Sequence, residues 1–268
     1  MPELPEVETI KRELAPHVVG RTFASVTICD DKPIKQPEPE RFCQNLAGQR
    51  IDRLERRGKY LIFHLSSGQA LIVHLRMTGA LLLNPRDPNH ARVIFHFDDS
   101  SQLAFTDRRR LGAIWLAEDA KAVTRKLGPE PLEAHFTTEI LAKLLQKRQA
   151  PIKAVLLDQS LIAGIGNMYA DEALFLARIH PLRQANSLSH QEVQELYQAI
   201  RQVLQKAIDS KGASIDTYKR PGGATGAAHQ DFHVAHQKGK PCPKCFTPIE
   251  RLPIRNRGSY FCPRCQAI

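Results

Sequence analysis

The sequence lacks any long apolar run. None of its 268 residues belongs to a stretch approaching the roughly 20 consecutive apolar residues that a membrane-spanning helix requires. The first residues are polar and acidic (Glu3, Glu6, Glu8), whereas a secretory signal would be basic and then apolar. We therefore expect a cytoplasmic protein without a membrane partner. In that compartment the few cysteines, six in all, are expected as thiols or metal ligands rather than disulfides.

Acidic residues are outnumbered by basic ones. Lysine and arginine total 38 against 28 aspartate and glutamate, which gives a formal net charge of +10. This excess favours polyanionic partners, with nucleic acid ahead of an anionic membrane. The hydrophobic fraction of 42% is sufficient for packed cores and excludes a disordered chain.

The spacing of apolar residues predicts an N-terminal helix followed by a β region. Pro5 to about Leu14 has apolar residues at helical spacing, after a proline that suits a first turn. From about Arg21 to Ala117, short β-branched and aromatic runs alternate with turn-forming residues, as in a sandwich or barrel. The predicted turns lie at 66–68, 85–88 and 98–100.

The strand pattern ends at residues 128–131, and the residues after them have patterns that predict helices. Residues 138–147 repeat apolar residues at helical spacing, and Ser189 with Glu192 forms a capping box before a long amphipathic pattern. Between them, residues 162–169 form a glycine-containing turn that leads into another helix. Residues 219–228 are rich in glycine and are predicted to be a mobile loop.

Two CxxC pairs lie near the end of the chain. Cys242 and Cys245 form the first pair, Cys262 and Cys265 the second, and residues 246–261 separate them. This spacing is typical of structural zinc sites, in which four thiolates surround the ion. Because protein thiolates fill all four positions, we expect one structural Zn²⁺ with no open site for catalysis. Residues 236–268 carry seven basic side chains against one acidic side chain, which favours a phosphate-binding surface.

The N-terminus offers a candidate nucleophile. Removal of Met1 would leave Pro2 with a free secondary amine. The pKa of an α-amino group is about 8. Such an amine can attack an acetal carbon and form an iminium ion. From these residues alone, a plain capped helix is the alternative interpretation.

Four separated motifs resemble bacterial formamidopyrimidine-DNA glycosylase, and the similarity runs from residue 2 to residue 266. The wider family includes the endonuclease VIII-like enzymes, which share its fold and nucleophile. The motifs are the segment 2–9, Arg56-Arg57-Gly58-Lys59-Tyr60, Gly164-Ile-Gly-Asn-Met-Tyr-Ala-Asp-Glu172 and Cys262-Pro-Arg-Cys265-Gln.

The resemblance implies an α+β fold in four parts. An N-terminal β-sandwich with an N-terminal helix is expected over residues 1–130, and a helix–two-turn–helix DNA-binding domain over 131–218. A flexible lesion-recognition loop is expected over 219–235, and a zinc-finger β-hairpin over 236–268. The implied partner is damaged double-stranded DNA, bound by a monomer at the nucleoid.

The resemblance also implies a reaction. The expected activity is removal of oxidised purines (8-oxoguanine and formamidopyrimidines) from duplex DNA through a Schiff base, followed by β,δ-elimination by the AP-lyase activity. Pro2 is the implied nucleophile, and Glu3 the acid that protonates the deoxyribose ring oxygen. Lys59 assists base loss and elimination, and Arg257 clamps the phosphates flanking the lesion and is linked to the second elimination.

Further DNA contacts are implied residue by residue. Lys153 and Asn167 are expected at the phosphate beside the lesion, His90 near a phosphate, and Glu6 beside Pro2 at the DNA-facing helix start. The wedge that fills the space of the extruded base is expected to comprise Met77, Arg109 and Leu111. Leu111 stands where a phenylalanine is usual, so the wedge stays apolar but loses aromatic stacking.

Two alternatives stay open. An endonuclease VIII-like enzyme would use the same chemistry but prefer oxidised pyrimidines, and the loop around His229 and Ala235 departs from the pattern that contacts the flipped base. A zinc-ribbon DNA-binding protein without catalysis is the alternative of another class. The set Pro2, Glu3 and Lys59 argues against it, since a binder has no use for these residues.

Overall fold

The computed structural model describes residues 1–86, 90–215 and 217–268, so the turn predicted at 85–88 lies partly outside the described residues. Helices and strands both occur throughout, which confirms the predicted α+β class. The chain divides into two compact units, residues 1–125 with 210–229 and residues 126–209 with 230–268. None of the helices in the described ranges combines the length and apolar character needed to cross a membrane.

The first unit is built around two β-sheets, with strand orders β1-β7-β8-β6 and β2-β9-β5-β4-β3. Alternate side chains of both sheets, such as Phe63 and Val73 from one and Phe95 and Phe105 from the other, share one buried core. This packing confirms the predicted sandwich. The strands are β1 Phe23–Ile28, β2 Ile34–Gln36, β3 Ile51–Arg57, β4 Tyr60–Leu65, β5 Ala70–His74, β6 Gly79–Leu83, β7 Ala91–Phe97, β8 Gln102–Asp107 and β9 Ala113–Ala117.

The first unit also contains helices. α1 covers Leu4–Val18 and confirms the predicted N-terminal helix, which buries its apolar side in the sandwich core. α2 covers Pro39–Leu46, so the expectation of β structure throughout residues 21–117 was wrong at this point. Phe42 and Leu46, four residues apart and both fully buried, form the side of α2 that packs on the core. A short helix, α3, covers Lys121–Thr124.

The second unit contains most of the helical structure. The predicted capping box is confirmed, because the Ser189 backbone N–H donates to Glu192 Oε2 over 2.8 Å and the Glu192 N–H donates to Ser189 Oγ over 3.2 Å. The predicted glycine-containing turn leads into a helix that begins at Asn167. The helices are α4 Thr138–Gln146, α5 Ile152–Leu156, α6 Asn167–Leu176 and α7 His190–Asp209.

The cysteine-bearing segment of the second unit forms a β-hairpin. Strands β10 (Glu250–Ile254) and β11 (Arg257–Phe261) pair antiparallel. The two linking residues, Arg255 and Asn256, both have positive φ angles of 47° and 61°, as a tight two-residue hairpin turn requires. The zinc-finger β-hairpin expected from the resemblance is therefore confirmed.

Candidate active site and nucleic-acid interface

The residues at the start of α1, at the N-terminus of the first unit, are buried. Pro2 is buried and Glu3 is 2% exposed. The Glu3 backbone N–H donates to Glu6 Oε2 over 2.7 Å, and the Ala213 N–H donates to Glu6 Oε1 over 2.8 Å. Glu6 therefore fixes the first helical turn to the segment that follows residue 210. A direct contact between Glu6 and DNA stays a prediction.

A buried ion pair attaches α1 to the sandwich. Arg56 Nε on β3 lies 3.0 Å from Glu8 Oε2, and both side chains are less than a tenth exposed. Lys11 and Arg12 also contact Glu8 from the next helical turn. The strand that carries Arg56 leads directly into Lys59, so this pair connects the helix bearing Pro2 to the strand leading to Lys59.

Lys59 lies in the turn between β3 and β4 and is only 5% exposed. Gly58, just before it, has a φ of 57°, which a side chain would strain. His74 on β5 is buried nearby, and burial with the charges of Arg76 and Lys59 lowers the pKa of His74 to about 3. The ring is neutral near pH 7, and its Nδ1 accepts a 3.0 Å hydrogen bond from the Arg76 N–H. No pattern in the sequence indicated this neutral histidine, because β5 is a continuous apolar run, buried at every residue, in which His74 is the last residue.

Two turns of the first unit carry the predicted wedge. Met77 lies between β5 and β6, whereas Arg109 and Leu111 lie between β8 and β9. Met77 and Leu111 are each 43% exposed, so neither side chain belongs to the buried core of the sandwich. Arg109 Nη1 approaches Met77 Sδ to 3.2 Å, which brings the two turns together. His90 is exposed and its carbonyl accepts from the Asp107 N–H.

A second group of predicted residues meets in the second unit. Lys153 is fully buried and its Nζ lies 2.6 Å from Asp171 Oδ1. Lys153 Nζ and Asn167 Nδ2 both donate to the Gly258 carbonyl, over 3.4 and 2.9 Å. The exposed Arg257 precedes Gly258 on β11. The fold thus joins α5, α6 and the zinc hairpin at one point.

Asp171 was missed by sequence reasoning. Burial raises the pKa of this carboxyl to about 7, although Lys153 opposes the shift. The available signal was its position four residues after Asn167, which places both side chains on one side of α6.

The four predicted metal ligands also converge. The sulfur atoms of Cys242, Cys245, Cys262 and Cys265 all lie within 4.8 Å of one another. Sγ of Cys242 is 3.8 Å from that of Cys265, and Sγ of Cys245 is 3.4 Å from that of Cys262. Four sulfurs bound to zinc at about 2.3 Å in a tetrahedron would be about 3.8 Å apart, so the residues fit the ion. The module binds one structural zinc, as predicted.

The expected sites are therefore distributed over both units. Pro2, Glu3 and Lys59, with the wedge, belong to the first unit, whereas Lys153, Asn167, Arg257 and the zinc ligands belong to the second. A four-cysteine zinc hairpin with exposed basic side chains such as Arg257 is typical of a DNA-binding protein with a structural metal.

Comparison with known proteins identifies the family. Residues 1–114 match the formamidopyrimidine-DNA glycosylase N-terminal domain, residues 127–219 the formamidopyrimidine-DNA glycosylase H2TH domain, and residues 239–268 a zinc finger found in FPG and IleRS. The formamidopyrimidine-DNA glycosylase of Symbiobacterium thermophilum is 45% identical and is aligned over 100% of this chain and 90% of its own length. The chain belongs to the formamidopyrimidine-DNA glycosylase family, which makes it a DNA glycosylase of base excision repair.

Solved structures agree with this assignment. The MutM (FPG) protein of Thermus thermophilus has a TM-score of 0.91 and 39% identity, and the match covers 99% of this chain and 98% of that one. The Lactococcus lactis FPG, solved in complex with a FAPY-dG-containing DNA, has a TM-score of 0.91 and 35% identity, covering 99% and 100%. These findings confirm the family that the four sequence motifs indicated.

Proposed function

We propose that this protein excises oxidised purines, 8-oxoguanine and formamidopyrimidines, from duplex DNA and then cleaves the strand at the resulting abasic site. The observation that carries the proposal is the buried start of α1, where Glu3 adjoins the residue whose amine would become the nucleophile. The Lactococcus lactis relative solved with a FAPY-dG-containing DNA supports the substrate class.

The chemistry begins after Met1 is removed. The secondary amine of Pro2 attacks C1′ of the damaged nucleoside, the base leaves with the electron pair of the glycosidic bond, and the proton that the amine nitrogen loses neutralises the departing base. Glu3 protonates the ring oxygen, so that the sugar opens and an iminium ion links Pro2 to C1′. Glu3 can act in this way only as the protonated acid.

Strand cleavage follows from the same intermediate. The iminium ion acidifies the proton at C2′, and its removal expels the 3′-phosphate in β-elimination. A second elimination expels the 5′-phosphate, and water then releases the sugar fragment from Pro2. Lys59 assists base loss and the first elimination, and Arg257 assists the second.

The remaining sites hold the substrate. Lys153 and Asn167, together with Arg257, bind the phosphates flanking the lesion, where the N-terminus of α6 adds a favourable dipole. His90 contacts a further phosphate and Glu6 borders the lesion site. Met77, Arg109 and Leu111 fill the space of the extruded base. The protein acts as a monomer at the nucleoid, with the domain limits expected from its sequence.

The test is borohydride trapping on duplexes that contain 8-oxoguanine or thymine glycol. Reduction of the iminium ion should link protein and DNA covalently, most efficiently with 8-oxoguanine. A protein that retains Met1 or an N-terminal tag should give no adduct but should still bind DNA. Normal trapping by the blocked protein would exclude Pro2 as nucleophile, and preferential trapping on thymine glycol would favour the endonuclease VIII-like alternative.

A further inference from the structure

Asp107 is a fully buried carboxylate at the end of β8, where the chain enters the turn that carries Arg109 and Leu111. Its Oδ2 accepts hydrogen bonds from the backbone N–H groups of Leu111 and Gly112, each over 2.7 Å. Its Oδ1 accepts from Thr78 Oγ1 and from the Arg109 N–H, the latter over 3.2 Å. Both oxygens are thus occupied by donors of the two wedge turns.

These bonds connect turns that are distant in sequence. Thr78 directly follows Met77, and its hydroxyl accepts a 3.1 Å hydrogen bond from the Arg109 N–H while it donates to Asp107. Gly79, the next residue, pairs with Asp107 between β6 and β8. One side chain therefore sets the position of Met77 relative to Arg109 and Leu111.

The surrounding structure keeps Asp107 in place. A Cβ atom added to Gly112 would lie 2.4 Å from Phe105 Cζ and 3.2 Å from Asp107 Oδ2, so the turn is closely packed on the carboxylate. Arg92 Nε donates to the Asp107 carbonyl over 2.9 Å, which fixes the backbone at the same residue. Arg110 forms a two-point contact with Asp30 on the outer side of the turn.

We propose that Asp107 is a positioning residue for duplex opening, which holds Met77, Arg109 and Leu111 ready for insertion before DNA arrives. This inference rests on the proposed function of these three residues as the wedge. Unstacking a base step costs free energy, and a wedge that must first be ordered would add its own loss of conformational entropy to that cost. Charge-assisted hydrogen bonds to a buried carboxylate order both turns in advance.

The informative substitution is Asp107→Asn, which preserves the size of the side chain. An amide has one acceptor oxygen, so it can serve either the Leu111 and Gly112 N–H groups or the Thr78 and Arg109 donors, but not both sets. The substitution loosens the wedge without creating a cavity. Thr78→Val is a second variant, because it removes only the hydroxyl that connects the two turns. Asp52→Asn is the matched control, since Asp52 is exposed on β3.

The experiment compares excision of a paired 8-oxoguanine with cleavage of a preformed abasic site, which needs no base extrusion. Asp107→Asn should reduce excision by about tenfold or more, the order expected for a lost charge-assisted hydrogen bond, and abasic-site cleavage by less than about twofold. Thr78→Val should show the same selectivity to a smaller extent. Asp52→Asn should change neither rate.

A double-mutant cycle with Leu111→Ala separates positioning from general destabilisation. If Asp107 acts through the wedge, adding Asp107→Asn to Leu111→Ala should reduce excision by a smaller factor than Asp107→Asn does in the wild type, because only the positioning of Met77 and Arg109 is then left to lose. The proposal would be overturned if the losses of excision from Asp107→Asn and Leu111→Ala were additive, or if Asp107→Asn slowed excision and abasic-site cleavage equally. If Leu111→Ala slowed only excision while Asp107→Asn did not, the wedge would be real but would not be positioned by Asp107. If Leu111→Ala itself shows no selectivity, the proposed wedge fails. Should Asp107→Asn unfold, the same comparison with Thr78→Val decides.

Discussion

Each compact unit contains a buried aspartate beside residues proposed to contact DNA, but the two carboxylates are held differently. Asp107 in the first unit accepts from uncharged backbone and hydroxyl donors. Asp171 in the second unit lies against the buried Lys153, and its pKa is raised to about 7. Uncharged donors fix a geometry, whereas the charge of a buried ion pair near its titration range depends on pH.

The hydrophobic cores of the sandwich and of the zinc module also differ. The sandwich buries a large continuous set of aliphatic and aromatic side chains from α1, α2 and both sheets. The zinc module has a smaller apolar cluster in the part of the chain that the structure describes, with Phe175, Val234 and Ile249 buried beside two of the cysteines and Tyr260 packed against them. The first region is therefore stabilised by apolar burial, whereas the second depends on the metal.

The largest expected effect comes from removing a zinc ligand. Cys262→Ser should abolish zinc binding, because a structural zinc contributes about 10–16 kcal/mol of apparent binding free energy in zinc-finger peptides. DNA affinity should fall at least about tenfold with it, since the hairpin that carries Arg257 loses its support. Metal analysis and DNA binding by anisotropy measure both quantities.

The sandwich should remain folded in Cys262→Ser, as expected if only the zinc module depends on the metal. Cys43→Ser is the control, because Cys43 lies outside the ligand cluster and should leave zinc content unchanged. Full zinc content and DNA affinity in Cys262→Ser would contradict the difference drawn between the two regions.

An intermediate effect is expected at the wedge. Leu111→Ala should reduce excision of a paired lesion by about tenfold while the cleavage of a preformed abasic site changes little, because an aliphatic side chain transfers no proton. Leu111→Phe should retain or improve excision, since an aromatic ring stacks on bases. Steady-state rates on both substrates test this.

Thermal unfolding provides the control for the wedge. Leu111 is 43% exposed, so Leu111→Ala should leave the melting temperature within about 2 °C of the wild type. A markedly lower melting temperature with equal loss of both activities would instead make Leu111 a structural residue.

The smallest effect concerns pH. The folded state holds the proton of Asp171 more tightly than the unfolded chain does, so the stability this residue contributes is complete in acid and is lost as the pH rises toward and through about 7. Asp171→Asn has no such proton. The melting temperature of this variant relative to the wild type should therefore rise by a few degrees between about pH 5 and about pH 8.

Asp209→Asn is the control, since Asp209 is exposed at the end of α7, and its melting curve should follow that of the wild type. Parallel curves for Asp171→Asn and the wild type would show that the ion pair does not titrate in this range.

Several elements followed from local sequence patterns. The capping box at Ser189 and Glu192 and the helical spacing after Pro5 predicted helices that the structure contains. The paired CxxC motifs predicted the zinc site, because ligand spacing within each pair is set by the local turn. α2 was missed because its eight residues include only two fully buried apolar side chains, Phe42 and Leu46, inside a region of strand signals.

The sequence by itself determined the α+β class, the zinc ligands and, through its motifs, the family. Tertiary structure decided which carboxylates became buried and what they contact. Thr78 lies 29 residues from Asp107 along the chain, and Gly258 lies 105 residues from Lys153. Periodicity reports only neighbours within a few residues, whereas burying a charge requires partners that the packing of distant segments brings within hydrogen-bonding distance.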